Sequence, residues 1–262
     1  MSKTSILLLI IILLVACQSE YGTKKQLAET KTIDPYAVFE DVKARELIRN
    51  AIEYAGGLEA WNGRRSMSYK KQFQLFDASG KVEKSFDQIH RYQLAPFDIK
   101  IVSIENGDTI ITRQVKHKYS RTRNGVKVAA NDEALAKAIN TSRYVIGIPF
   151  KLLDPGVDIE YLGPDTLYNG RATEVIEVSY NANTHNNHST SDTWRYYFAV
   201  DEPVIVANWV DAGDHFSLIE NLSFERVRGI LVHQNRKSYR VDSTGQLLYL
   251  RAAYQYSDYV IE

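Results

Sequence analysis

Apolar and polar residues alternate along most of the chain after Ser66. A period of two is typical of β-strands that bury one face. The clearest run spans Thr193 to Val200, and turn-forming pairs such as Asn169-Gly170 separate one run from the next. On one side of that run lie Trp194, Tyr196 and Phe198. The pattern predicts about ten strands, mostly adjacent in sequence, which favours a mainly β fold: a large curved antiparallel sheet, open as a half-barrel.

A helical period precedes the strands and returns once in the middle of the chain. Asp34 and Pro35 suit the N-cap and first position of an N-terminal helix, which Gly56-Gly57 ends. Asn131 suits the N-cap of a short mid-chain helix. The apolar face of the first helix comprises Ala44, Leu47, Ile48, Ala51, Ile52 and Ala55. Because an apolar helix face must be buried, both helices are expected on the concave side of the sheet.

Large apolar side chains on the predicted strands are expected to line a groove between the sheet and these helices. In a half-barrel, a groove is a core that side chains have not completely filled. The predicted groove residues are Phe73, Leu75, Ile176, Val178, Trp194, Tyr196, Phe198, Phe216 and Leu218. The alternative is that the same residues form a fully packed core.

The N-terminus has the three parts of a secretory signal peptide. Lys3 supplies a positive charge, an apolar run extends from Ile6 to Ala16, and Cys17 follows it directly. The run is shorter than the roughly 20 apolar residues that a transmembrane helix requires. The sequence therefore predicts export, with cleavage before Cys17.

Cys17 is predicted to carry lipid. Leu14, Val15 and Ala16 precede it and resemble the lipobox of bacterial lipoproteins, in which the cysteine thiol receives a diacylglycerol. It is the single cysteine of 262 residues, so it has no partner for an intrachain disulfide. Each buried methylene contributes roughly 0.8 kcal/mol, so two or more acyl chains, palmitate among them, anchor a protein firmly.

These features divide the chain into three predicted parts: a signal peptide over residues 1–16, a lipidated polar tether over residues 17–34, and a single half-barrel domain over residues 35–262. The predicted location is the bacterial cell envelope, on the periplasmic side. Gln18 and Ser19 stand where many lipoproteins of the inner membrane have aspartate. The outer membrane is therefore favoured over the inner.

Neither the charge of the chain nor the positions of its histidines indicate an enzyme. Lysine plus arginine and aspartate plus glutamate both number 32, so the net charge does not favour a nucleic-acid partner. No nucleophile-elbow motif or phosphate-binding glycine loop is present, and no catalytic residue, cofactor or bound metal is predicted. One weak metal-binding pattern consists of His185, His188 and Asp192. His90 and His117 lie in charged strands and are expected at the surface, whereas His233 is expected within the sheet.

The sequence also resembles an uncharacterised family of bacterial envelope lipoproteins. Two segments carry the resemblance: Ala55 to Trp61, with its glycine pair, and Ile148 to Gly156, followed by Tyr161-Leu-Gly163. That family is associated with the half-barrel fold of the lipoprotein carrier LolA and the lipoprotein LppX. The resemblance implies a groove that holds acyl chains or other apolar ligands.

The sequence thus favours a non-enzymatic, membrane-anchored envelope lipoprotein that binds a lipid or other apolar ligand, with no protein partner identified. Two alternatives remain open at this point: a structural or protein-interaction lipoprotein with a packed concave face, and a metal-assisted hydrolase that uses the loop of His185 and His188.

Overall fold

Thirteen strands form one antiparallel sheet in the computed structural model, which describes residues 34–181 and 192–262. The first six strands are Ser66–Phe76 (β1), Val82–Leu94 (β2), Phe97–Glu105 (β3), Asp108–Val115 (β4), Lys118–Arg123 (β5) and Val126–Lys127 (β6). The other seven are Val157–Thr166 (β7), Ala172–Tyr180 (β8), Thr193–Ala199 (β9), Ile205–Asp211 (β10), Phe216–Val227 (β11), Ile230–Val241 (β12) and Leu247–Ile261 (β13).

The strand order is β6-β5-β4-β3-β2-β1-β13-β12-β11-β10-β9-β8-β7. Strands that are consecutive in sequence are therefore neighbours in the sheet, except β6 and β7, and β13 returns to pair with β1. Because β6 and β7 are the two edges, the segment between them must lead from one edge of the sheet to the other. That segment contains the mid-chain helix, which explains why this helix crosses the sheet.

The predicted fold class is confirmed: the protein has an open antiparallel sheet of half-barrel type with few helices. The described residues contain thirteen strands, where about ten were predicted. The difference arises in strands such as β5, whose sequence Lys-Tyr-Ser-Arg-Thr-Arg carries polar residues on both faces. Without an apolar face, such a strand has little period-two signal.

Three helices accompany the sheet: Val42–Tyr54 (α1), Leu58–Asn62 (α2) and Asp132–Gly147 (α3). Asp34 and Pro35 begin a separate 3₁₀ turn, Pro35–Val38, and do not begin the first helix as predicted. The first helix starts later because the Asp41 side chain caps it, accepting a hydrogen bond from the Ala44 amide at 2.9 Å. The predicted cap of α3 is confirmed, since Asn131 accepts from the Glu133 and Ala134 amides, and α3 is 16 residues long, where a short helix was predicted.

Two apolar clusters lie on opposite faces of the sheet. We call the face that contacts the helices the inner face. Ile48 and Ile52 of α1 and Ile139 of α3 are fully buried there, against strand residues such as Ile176 and Phe198. The outer cluster is smaller and includes Tyr197, Trp209 and Leu218. The helices therefore cover only one side of the sheet, as the sequence predicted.

No helix in the described ranges is long and apolar enough to cross a membrane.

Candidate functional site

Side chains from four neighbouring strands share the inner face near the centre of the sheet. Phe73 of β1 lies opposite Tyr254 of β13, which lies opposite Arg236 of β12, which lies opposite Asn221 of β11. Residues directly opposite each other in an antiparallel sheet project to the same face. Two residues before Phe73 in β1, Lys71 lies opposite Tyr256 and projects to the same face. The register therefore brings aromatic, amide and cationic side chains into one patch.

A cavity of about 200 Å³ separates part of this patch from α3. The helix side of the cavity consists of Thr141, Tyr144 and Val145, together with Ile148 just after the helix. The aromatic residues on the sheet side are Trp194, Tyr196, Tyr254 and Tyr256. The polar residues on the sheet side are Lys71, Asn208, Ser217, Asn221, His233, Arg236 and Ser238. The cavity is thus aromatic and amphipathic, and the described residues that line it include no carboxylate.

Aromatic contacts make one wall of this cavity well packed. The rings of Trp194 and Tyr196 stack, with centroids 6.2 Å apart and planes inclined by 14°. Tyr144 of α3 packs against Trp194 at 5.6 Å, and its hydroxyl bonds to the hydroxyls of Tyr180 and Tyr196. Burial raises the pKa of Tyr144 and of Tyr196 well above the usual value, so both phenols are neutral at physiological pH. This wall presents ring faces and neutral hydroxyls.

Cations dominate the opposite part of the cavity. Arg236 is 7% exposed and donates a hydrogen bond from Nε to Asn221 Oδ1 at 2.8 Å. Lys71 Nζ lies 4.8 Å from the ring centre of Phe73 and 5.1 Å from that of Tyr254. Burial favours the neutral form of Tyr256, but Lys71 and Arg236 together bring its pKa below the usual value. The local potential is therefore positive.

The structure divides the nine predicted groove residues between the two faces. Trp194 and Tyr196 line the cavity, and Phe73 and Leu75 lie on the same inner face through their pairing with β13. Ile176, Val178 and Phe198 are buried in the inner core, outside the cavity lining. Phe216 and Leu218 belong to the outer cluster, where Phe216 stacks on Trp209 at 5.3 Å. The structure thus brings seven of them to one face and leaves two on the other.

His90 is buried, which corrects its predicted surface position. It is 1% exposed, and its Nδ1 lies 3.1 Å from the Tyr92 hydroxyl and 3.2 Å from Ser142 Oγ of α3. Its Nε2 lies 3.0 Å from Gln88 Oε1. The charged neighbours of His90 in the sequence project to the outer face, so their polarity indicates nothing about the histidine.

Ser142 Oγ and His90 Nδ1 are as close as the nucleophile and base of a catalytic pair, at 3.2 Å. The neighbouring side chains, however, bind them into a structural hydrogen-bond network. The Ser142 hydroxyl is closer to Tyr92, at 2.6 Å, than to the imidazole. The Tyr69 hydroxyl adds a further contact with Tyr92 at 3.0 Å. These bonds hold α3 against β1 and β2.

Two histidines are expected to make the fold sensitive to acid. Burial, reinforced by Lys71, lowers the pKa of His90 well below the usual value, and burial reinforced by Arg236 does the same for His233. In the unfolded chain a histidine has a pKa of about 6.5, whereas in the fold these rings stay neutral to lower pH. The free energy of unfolding therefore has its full value above about pH 6.5 and decreases as the pH falls below it, because only the unfolded chain then binds a proton. For His90 the slope is up to about 1.4 kcal/mol per pH unit.

Urea unfolding at about pH 7 and about pH 5 measures how the free energy of unfolding changes with pH. Both values lie above the range in which exposed carboxylates titrate, so the histidines dominate the change. His90→Gln is expected to give a shallower loss of stability than the wild type. His117 is exposed, so His117→Gln is the matched control and is expected to keep the full slope. Identical slopes for His90→Gln and the wild type would contradict the assignment.

The predicted metal-binding pattern is only partly visible. His185 and His188 lie outside the described residues, and Asp192 directly precedes β9. In the described ranges no three His, Cys, Asp or Glu side chains are placed to hold a metal ion. His215 pairs instead with the adjacent Asp214, whose pKa it lowers. Leu14, Val15, Ala16 and Cys17 also lie outside the described residues.

A second cavity, of about 410 Å³, lies at the C-terminal end of α3. Trp61 and Phe150 stack beside it with ring centroids 4.5 Å apart, which brings together the two segments that carry the family resemblance. In its lining, Lys151 pairs with Asp154, and Arg64 donates to the carbonyl of Arg228. The smaller cavity is the candidate site because it combines the aromatic wall with the buried cation Arg236.

Solved structures similar to this chain include three that each match it over 82% of its length. A DUF1329 family protein from Desulfovibrio piger is 9% identical over 91% of its own chain, with a TM-score of 0.49. A LolA superfamily protein from Nitrosomonas europaea is 10% identical over 92%, with a TM-score of 0.41. The lipoprotein LppX from Mycobacterium tuberculosis is 14% identical over 94%, with a TM-score of 0.26.

No protein-family model and no curated protein matches the sequence. LolA and LppX are the two names that the sequence resemblance had indicated. At these TM-scores, no statement about the function of this chain follows from the likeness.

Proposed function

We propose that this chain is a non-enzymatic envelope lipoprotein, anchored through Cys17, that binds an acyl chain or a similar apolar ligand. The ligand occupies the cavity between α3 and the inner face of the sheet. The observation that carries the proposal is the aromatic wall of that cavity, formed by Tyr144, Trp194 and Tyr196. Ligand sites are typically concave and mainly apolar, with a few polar groups that orient the ligand.

The size of the cavity limits what enters it. A volume of about 200 Å³ exceeds the roughly 150 Å³ of a dry cavity that binds benzene. It is smaller than the typical pocket for a complete drug-sized ligand. The site therefore suits one end of a single chain, with the remainder of the ligand outside.

Anchoring gives this binding site its location. Residues 18–33 form a polar tether in the sequence and connect the lipidated cysteine to the folded part. A tethered protein cannot diffuse as a shuttle does. Its role is therefore to receive, hold or sense a ligand close to its own membrane.

The test uses the mature chain from Gln18 to Glu262, exported with an ordinary signal so that it carries no acyl chain of its own; we call it the unacylated chain. Calorimetry with dodecanoate and with dodecanol measures binding, and mass spectrometry of the gently purified protein detects lipid that copurifies. Ser238 is 7% exposed and lines the cavity, so Ser238→Phe should fill the cavity and weaken binding at least about tenfold.

Ser179→Phe is the matched control, because Ser179 is an exposed residue of β8 outside the cavity lining. It is expected to bind both ligands as the wild type does. If neither dodecanoate nor dodecanol binds, or if the two variants weaken binding equally, the proposal is wrong. The first of these results would favour the alternative of a structural lipoprotein with a packed inner face.

A further inference from the structure

The cavity between α3 and the inner face contains cations without counter-charges. These are Lys71 and Arg236, which both line it. A third cation, Arg240, lies outside the lining, donates a hydrogen bond to the lining residue Ser217 at 2.8 Å, and helps to lower the pKa of Asp214. None of the ion pairs in the described part of the chain includes any of these three residues. Some arginines of the same sheet pair with carboxylates, as Arg195 does with Glu177 at 3.0 Å. Among the described residues, the lining of the cavity therefore carries an excess of positive charge.

Arg236 is the strongest indication of a ligand. A guanidinium is rarely buried unless an opposite charge pairs with it, because removal from water is unfavourable. Arg236 is 7% exposed, and its two polar neighbours, Asn221 and Tyr256, are not carboxylates. Hydrogen bonds with these neighbours hold the guanidinium in a defined position. A positioned cation without a counter-charge suits an anion that arrives from outside.

Another polar group in the cavity lacks a partner. Nδ1 of His233 is buried and makes no hydrogen bond among the described residues. A buried polar atom without a partner requires an explanation in terms of function or a missing ligand. A neutral imidazole can carry its proton on Nδ1 and donate it to an oxygen acceptor. His233 thus adds a buried nitrogen without a partner to the residues that line the cavity with Arg236.

We infer that the cavity recognises the anionic headgroup, a carboxylate or a phosphate, of an amphipathic ligand, with Arg236 and Lys71 as its cationic contacts. This inference rests on the proposed function, because it assigns the head of the ligand whose chain packs on Tyr144, Trp194 and Tyr196. The cations and the aromatic wall lie in one cavity, so a single molecule with a charged head and an apolar chain satisfies both. Charge-assisted hydrogen bonds from arginine are strong and match the geometry of both headgroups.

Calorimetry of the unacylated chain with three ligands that share one alkyl chain tests the inference. The ligands are dodecanoate, dodecyl phosphate and dodecanol. At least one anion is expected to bind about tenfold more tightly than dodecanol. The ratio between the two anions tells which headgroup the site prefers, and inorganic phosphate and acetate show whether the head binds without its chain.

Two variants assign the effect to the cavity. Arg236→Gln is expected to weaken binding of the preferred anion about tenfold or more and to leave dodecanol binding unchanged. Lys237→Gln removes a cation from the adjacent position of β12, outside the cavity lining, and is expected to change neither affinity. Lys71→Met provides a second variant in case Arg236→Gln fails to fold, as judged by circular dichroism.

The failures of the two proposals are distinguishable. If dodecanol binds as tightly as both anions, the headgroup inference is wrong and the apolar site stands. If none of the chain-bearing ligands binds, the proposed function itself is wrong. If Arg236→Gln and Lys71→Met both keep the preference of the wild type for the anion, the two cations are not its contacts.

Discussion

Replacement of Cys17 by serine is expected to abolish incorporation of labelled palmitate and to leave the signal peptide attached to the chain. The reason is chemical: a cysteine thiol is the acceptor in the lipobox class that Leu14, Val15 and Ala16 resemble. Without acyl chains, each of which contributes roughly 0.8 kcal/mol per buried methylene, the lipid anchor is lost. The unacylated chain that begins at Gln18 is therefore expected in the soluble fraction, whereas the wild type sediments with membranes.

Metabolic labelling and the mass of the purified protein measure these outcomes. Ser19→Ala, two positions after the cysteine, is the matched control and is expected to keep both the label and the membrane association. Palmitate incorporation that persists in Cys17→Ser would place the lipid elsewhere. A wild-type protein that keeps residues 1–16 after maturation would contradict cleavage before Cys17.

Replacement of Gly56 by alanine is expected to lower the free energy of unfolding by about 3 kcal/mol. Gly56 has φ of +122°, a conformation that residues with a Cβ avoid. A Cβ there would lie 2.7 Å from the carbonyl oxygen of Gly229, in the turn between β11 and β12. The same region holds the end of α1 against the sheet, because the Leu231 amide donates to the Ala55 carbonyl at 2.9 Å.

Gly80→Ala separates the cost of backbone conformation from the cost of the steric clash. Gly80 has φ of +84°, and an added Cβ there meets no atom within 4 Å. Only the conformational cost applies, so a loss of about 1–2 kcal/mol is expected. Chemical denaturation measures both variants. If Gly56→Ala and Gly80→Ala lower the free energy of unfolding equally, the close contact between Gly56 and the Gly229 carbonyl does not constrain the end of α1.

Local sequence patterns predicted most elements of the fold, but not all of their bounds. The alternation of Trp194, Tyr196 and Phe198 predicted β9 and the face that it buries, because two successive positions of a strand always project to opposite sides. Asn131 predicted the start of α3, because its side chain satisfies amides that the helix leaves free. The start of α1 was wrong because two aspartates compete, and Asp41 caps the helix while Asp34 caps the turn before it.

The candidate site was less visible in the sequence. Of the predicted groove residues, Trp194 and Tyr196 line the cavity, but Lys71, Arg236 and His233 were not among them. Charged residues in strands are usually solvated, so their sequence positions indicate a surface. A useful signal was present in the alternation of β1, in which Lys71 shares its face with the apolar residues Tyr69 and Phe73.

The sequence by itself determined which residues of each strand share a face and where α3 begins, and the prediction of a lipobox before Cys17 rests on the sequence alone. Each of these depends on contacts or chemistry within a short segment. Only the tertiary structure decided which face of each strand meets α3. Phe216 and Leu218 lie on the outer face although their strand alternates as predicted, because the face is set by register with β10 and β12. The same register buries Arg236 beneath α3, and no pattern within a single strand carries that information.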